Sequence, residues 1–521
     1  MVIRVAVVAR AWLWAAVAAA VPAAEPPGIG PQEVPASSRG APPATADAAA
    51  AYREVLTRLC DPEMGGRSAG SPGGARAIAW IEGRLLALGL EPAVGESLRQ
   101  EFAVPEPLPP VVLPATACAL LGPVPRALAP REFEPFPFSP DGRVSAEVVF
   151  AGHGLVIPEL GLDDYRDLDV RDKVVLLLRG GPDWRADGAP VRRHMARLSF
   201  RSKTAEAANR GAAAVLMVER GDRATGALDA GVVRRCQGGA AVPFVWLDRD
   251  AVAPWFEHGL DDAQRRLDRG EAPVPLRAGA AIELDVALQR HPPRLTANVL
   301  ARLRGRVDGD RDEIVVVAAH HDHIGRGEIG SLGRGEEIGR LHPGADDNAS
   351  GVAALLELAR RWRDRGAGRR TLVFAAFGAE EIGQAGSRWL LDHPPAGGVV
   401  VAMLDLNMIG RAASNGATVY GVGTGEGLDH VVTAAGARLP ELRLELRDRT
   451  SYRSDQSRFL GAGIPALLIT TGLHAQYHRP ADVPELVEVD AALQVVDLAD
   501  AVLRELVDGP RRRFVPARDR K

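Results

Sequence analysis

Four places in the 521-residue chain put metal-ligating side chains directly behind an apolar run. Ile314–Ala319 leads into His320-His321-Asp322-His323 and, further on, Asp346-Asp347-Asn348. Thr371–Phe377 leads into Glu380-Glu381, Val399–Leu404 into Asp405-Leu406-Asn407, and Pro465–Ile469 toward His478. A single His or Asp near a strand end is usually a surface residue or a cap. Four such coincidences at equivalent ends point to a shared site, because ligands in open α/β sheets collect beyond the carboxyl ends of the strands. Imidazole nitrogen and carboxylate oxygen are ligands that zinc takes at about 2.0–2.2 Å.

The elements that must position these groups are legible from hydrophobic periodicity. Helical patterns such as Val352, Leu355, Leu356 and Ala359 separate the four runs. Near-continuous apolar strands alternating with helices predict an α/β fold, a mostly parallel mixed sheet sandwiched by helices. Upstream, Ile78, Ile81, Leu85 and Leu88 recur at helical spacing before Gly89. The runs Lys173–Leu178, Ala212–Val218 and Val242–Leu247, with a helical pattern over Thr204–Arg210, predict a second, smaller α/β unit. The expected organisation is a signal peptide over 1–24, a flexible linker over 25–48 and the first part of the main domain over 49–140. An inserted domain follows over 141–285, then the rest of the main domain over 286–508 and a disordered basic tail over 509–521.

Composition excludes several classes. Apolar residues are 46% and charged residues 25%, ordinary for a globular protein. A net charge of −4 argues against a nucleic-acid reader. Arg4 and Arg10, the apolar stretch Ala11–Val21 and the small residues of Val21-Pro22-Ala23-Ala24 have the order of a secretory signal. The stretch is shorter than the ~20 residues of a membrane span, so the expectation is an exported protein, periplasmic or extracellular, with no stable span after cleavage. Cys60, Cys118 and Cys236 form no CxxC pair and are expected to be mostly buried and inert, with one bridge allowed.

The runs H-H-D-H-I-G, G-A-D-D-N-A-S-G, G-A-E-E-I-G and Y-H-R-P-A-D, spread over Arg294–Glu485, resemble metallopeptidase family twenty-eight. These are co-catalytic zinc aminopeptidases and carboxypeptidases, with glutaminyl cyclase and transferrin receptor as relatives. The earlier G-G-R-S-A-G-S-P-G-G at Gly65–Gly74 is similar to the family's N-terminal segment. The middle unit resembles a protease-associated domain through Asp172-Lys173-Val174-Val175, Phe200–Lys203 and Gly211-Ala212-Ala213. Lys173 and Lys203 within those motifs read as caps or salt-bridge partners.

The resemblance implies two zinc sites. His320 would bind one zinc, oriented by Asp322; Asp346 would bridge both; Glu381 and His478 would complete the other; Glu380 would be the general base. His321, His323 and His342 match no ligand position. The implied activity is a zinc exopeptidase acting on peptides or proteins with a free N-terminus. One departure stands out. The family's N-x-D-M-I-G has its ligand Asp where this chain has Asn407, with Asp405 two residues earlier. Residues i and i+2 share a strand face, so either could reach the metal. A neutral amide there is a poorer zinc ligand, so the second zinc is expected to be weaker, absent or held in a changed geometry.

Other signals carry less. Gly66-Arg67-Ser68-Ala69-Gly70 fits a nucleophile elbow, but what precedes it reads as helix, not strand. Gly421–Gly425 lacks dinucleotide spacing and reads as a loop needing close backbone approach. The alternatives to a peptidase are a single-zinc glutaminyl cyclase-like enzyme and a non-catalytic receptor-like binding protein on the same fold.

Overall fold

The computed structural model describes residues 46–105, 110–122, 124–182, 197–221, 239–306, 308–310, 312–448 and 454–516. The signal-like segment and Cys236 lie outside them. Two compact units divide the chain. One is continuous over Pro107–Pro292, and the other joins the segments before and after it.

In the discontinuous unit the four apolar runs are adjacent parallel strands. Glu313–His320 sits between Thr371–Phe377 and Val399–Leu406, and Ala466–Thr470 follows. Alternate residues of the central strand enter different cores. Val315, Val317 and Ala319 pack into one, with the helices Gly351–Arg365 and Val489–Asp508. Ile314, Val316 and Ala318 pack into the other, with Leu390 and Phe459. Burial on both faces explains why these strands lack polar alternation. Each fully buried Val or Ile contributes about 1.5–3 kcal/mol of transfer free energy. The sheet is mixed, because Arg294–Leu303 runs antiparallel to Thr371–Phe377, and Ala417–Tyr420 antiparallel to Ala466–Thr470.

Arg294–Leu303 also pairs antiparallel with Arg99–Val104, and Val104 lies directly opposite Arg294. The residues that lead into and out of the other unit are thus one cross-strand pair.

The Pro107–Pro292 unit has a parallel centre. Gly142–Phe150, Val174–Leu178, Ala214–Val218 and Phe244–Leu247 pair in that order, flanked by antiparallel strands. Its sequence-expected start at 141 moves forward, because Ala117–Leu121 pairs with Ala281–Val286 and Phe133–Pro135 with Phe244–Leu247. Lys203 is buried and donates to the carbonyls of His153 and Gly180. Lys173 pairs with Glu147 at 3.1 Å.

The tail differs from its expectation as far as residue 516. The Glu426 amide donates to the Arg513 carbonyl and the Val515 amide to the Thr424 carbonyl, so this stretch is docked through its backbone. The Gly421–Gly425 loop is as close-packed as expected: a Cβ on Gly421 would lie 2.4 Å from the Ala466 oxygen. Cys60 and Cys118 are free and buried, and burial pushes both thiols up to about 12. Among the described residues no helix is long and apolar enough to cross a membrane.

Candidate metal centre

The carboxyl ends of the parallel strands fall at one edge, with His320 in register with Phe377 and Ala318 with Asp405. The loops beyond them converge. His323, Asp347, Glu381 and His478 bring ligand atoms within 4.8 Å of one another, with three buried and Glu381 nearly so.

Asp347 is the hub. Its Oδ1 lies 3.3 Å from His320 Nε2, and its Oδ2 lies 3.2 Å from His478 Nε2. Glu381 Oε2 is also 3.2 Å from His478 Nε2. Two ligands on one tetrahedral zinc are about 3.4 Å apart when each bond is about 2.0–2.2 Å. The separations on both sides of Asp347 match that edge. Each histidine is fixed through its other nitrogen. His478 Nδ1 donates to the Gly330 carbonyl at 2.7 Å, and His320 Nδ1 to the Asp322 carbonyl at 3.1 Å. With the proton on Nδ1, a neutral ring would turn its Nε2 lone pair to the carboxylates, and neither Nε2 has a hydrogen-bond partner among the described residues.

Electrostatics agree with a cation in this position. Burial alone would strip the proton from His320, but Asp347, Glu380 and Asp322 outweigh it and hold its pKa well above the imidazole range. Burial of His478 is likewise outweighed by Glu381 and Asp347, which push it up to about 11. For Glu381 burial is overcome by His478 and His323, and its pKa falls to about 2. Glu380 goes the other way. Burial, with the nearby charges of Asp455, Glu381 and Asp322, raises it well above the carboxylate range. The donor set therefore fits zinc in ligand chemistry, spacing and charge.

Asp346, expected as the bridge, is turned away from this cluster. Its Oδ1 accepts from the Gly410 amide at 2.6 Å and the Ser350 hydroxyl at 2.9 Å, and its Oδ2 faces His474 at 3.3 Å. Adjacent residues of a turn point in different directions, and here Asp347 takes the inward place. Asp322 is second to the ligands in another way than expected. Its carboxylate accepts the backbone amides of Glu380 at 3.0 Å and Glu381 at 3.3 Å, while its Oδ1 stays 3.8 Å from His320 Nδ1. Asp405 and Asn407 are outside the four-residue cluster. Asp405 accepts from the Gln456 amide and Asn407 donates to Ser454, while Asp405 Oδ1 and Asn407 Oδ1 have no partner among the described residues.

Residues with no assigned role hold the loops in place. Asp482, the last acid of Y-H-R-P-A-D, accepts the amides of both Asp346 and Asp347 at 3.0 and 3.1 Å. Asn348 ties the Leu406 carbonyl and the Met408 amide to its own turn. Arg67, inside the glycine-rich segment, is fully buried. It donates to the carbonyls of Leu59, His321, Pro343 and Gly344. Gly66 is required there, since a Cβ would lie 2.5 Å from the Gly325 oxygen. Only a buried charge in a glycine-rich run could have signalled this from sequence. His321 and His342 are structural: His321 Nε2 meets the Ala297 carbonyl, and His342 bridges Ser331 and Arg340.

Residues 298–503 match Peptidase family M28. This segment belongs to that family. Among curated relatives, aminopeptidase YwaD of Bacillus subtilis is 28% identical over 207 residues, covering 37% of this chain and 41% of that protein. An aminopeptidase of Pseudomonas aeruginosa is 28% identical over 277 residues, covering 51% and 44%. The chain thus spans less than half the length of these curated relatives. Among solved structures, the aminopeptidase of Aneurinibacillus sp. strain AM-1 superposes with a TM-score of 0.56 at 23% identity, over 90% of this chain and 96% of that one. BSAP, a zinc aminopeptidase from Bacillus subtilis, gives 0.51 at 20% identity, over 91% and 97%. At these identities the superpositions show a shared fold and nothing finer.

Proposed function

We propose that the chain is an exported zinc aminopeptidase that cleaves N-terminal peptide bonds. The observation that carries this is the division of Asp347 between two histidines, with 3.3 Å to His320 and 3.2 Å to His478. Asp347, Glu381 and His478 would hold one zinc. His320 and the other oxygen of Asp347 would hold a second, with Asn407 or Asp405 as its weaker third ligand. Bound zinc supplies Lewis acidity, polarising the scissile carbonyl and lowering the pKa of water toward about 7.

The chain's own residues do the proton work. Asp322 grips the backbone of Glu380 and Glu381 together, so the base and the ligand are placed as one unit. Glu380 Oε1 accepts from Gln384 at 3.3 Å. The Glu380 carboxylate takes the proton of the attacking water and delivers it to the leaving amine. The surplus of buried carboxylates also favours a substrate bearing a free α-ammonium. Export rests on the signal-like residues Arg4 to Ala24, and the middle unit would act as a protease-associated domain.

The test is a panel of free and N-blocked aminoacyl amides and a glutaminyl peptide, with metal analysis of the same sample. Turnover confined to free amines, a zinc-loaded protein, and loss of kcat by about 10²–10⁴-fold in Glu380→Gln with metal retained are the expected results. Cyclisation of the glutaminyl peptide without aminoacyl hydrolysis would replace this reading by the cyclase one.

A further inference from the structure

His323 differs from the other three members of the cluster. Its Nδ1 is 4.0 Å from Asp347 Oδ2, longer than the roughly 3.4 Å expected between ligands on one tetrahedral zinc. The same nitrogen is only 2.8 Å from Glu381 Oε1, which is shorter than that edge and an ordinary length for a charge-assisted hydrogen bond. A carboxylate oxygen accepts only, so the proton of this bond sits on Nδ1. A protonated Nδ1 has no lone pair for a metal, and Oε1 is engaged away from the cluster. The remaining oxygen of Glu381, Oε2, is the one that faces His478.

We propose that His323 is a positioning residue that fixes Glu381 as a one-oxygen ligand and keeps this zinc at three protein ligands. The inference rests on the metal centre proposed above. The ring is itself held firmly. His323 is 1% exposed, its amide donates to the Arg67 carbonyl at 3.2 Å, and it meets His478 edge-on at 5.6 Å. Gly344 leaves it room, since a Cβ there would lie 2.5 Å from His323 Cδ2. Asp322 and His323 are neighbours, so one short segment grips both the backbone and the carboxylate of Glu381. Three protein ligands with a free fourth position are the pattern of a catalytic zinc, whereas four close the site.

The experiment is zinc titration of metal-stripped full-length protein against a chromogenic chelator, for wild type, His323→Ala, His323→Gln and His323→Phe, with folding checked by circular dichroism. Removing the bond that orients a ligand costs about 10–100-fold in metal affinity. His323→Ala and His323→Phe should keep the wild-type zinc stoichiometry and lose that much affinity at one site. His323→Gln, which still presents an N–H donor, should recover most of it. Loss of one zinc equivalent in both the Ala and Gln variants would show a ligand and overturn the proposal. Unchanged affinity in all three would show a packing residue and overturn it equally. Failure of the wild type to take up zinc would appear before any variant is compared, and would remove the proposed metal centre itself.

Discussion

Arg67 ties together two loops of the candidate metal centre, and its removal should be costly. Its Nε donates to the His321 carbonyl at 2.9 Å, Nη1 to Leu59 and Pro343 at 2.6 Å each, and Nη2 to Gly344 at 2.8 Å. His321 lies between His320 and Asp322, and Gly344 is three residues before Asp347, so one guanidinium anchors both ligand loops. The residue sits at φ 51°, in the left-handed region, where a non-glycine residue costs about 1–2 kcal/mol. Hydrogen bonds from a charged group contribute about 1.5–3 kcal/mol each, so four give a gross total of about 6–12. Relaxation of the backbone and entry of water recover part of this, leaving about 3–5 kcal/mol for Arg67→Met, a large share of the 5–15 kcal/mol typical of a domain. With a urea slope of about 2 kcal/mol/M, the midpoint should fall by about 1.5–2.5 M. Arg67→Lys, which keeps the charge but loses the fork, should fall between. A midpoint for Arg67→Met within about 0.3 M of wild type, with zinc affinity intact, would refute the role assigned to this residue.

Three further outcomes follow from the site and its surroundings. Asp347→Asn should lose bound zinc, whereas Asp346→Asn should retain it and instead destabilise the turn at Gly410, as metal analysis and thermal unfolding would show. At the end of Val399–Leu406, Asn407→Asp should tighten the weaker of the two proposed zincs, and if Asp405 is its ligand instead, Asp405→Ala should strip it; calorimetric titration separates the two. In the middle unit, burial raises Asp164 to about 6, against the amides of Leu155 and His153 and the charge of Lys203. The folded state therefore holds a proton that the unfolded chain, with a pKa near 3.8, has already released. Its contribution to stability is greatest below pH 4 and declines by about 3 kcal/mol as pH rises to 6 and beyond. Asp164→Asn should remove that part of the slope in urea unfolding measured from pH 4 to 7.

The parts of the molecule legible in the sequence are those governed by periodicity. The four apolar runs became four adjacent parallel strands because burial on both faces demands apolar residues throughout. The helix from Gly351 was marked by Val352, Leu355 and Leu356 on one face. Turns have no such period. Asp346 and Asp347 are chemically identical neighbours, and the turn that orients them is held by Asp482, which accepts both amides from more than 130 residues away. The contact of His323 with Glu381 was not legible because it joins residues 58 apart in the chain. The early boundary of the middle unit was missed because Phe133–Pro135 is only three residues long and carries a proline. The docked tail was read as disordered from its charge, yet its ordering comes from backbone bonds that composition does not report.

Because Val104 faces Arg294 across the sheet, the Pro107–Pro292 stretch enters the chain between two paired strands, at the place where a simple hairpin would have its turn. Hairpin tips tolerate insertions well, since the strands set the register and the added chain imposes little on it. Such a connection lets the inserted stretch be lengthened, shortened or exchanged while the two flanking strands keep their pairing.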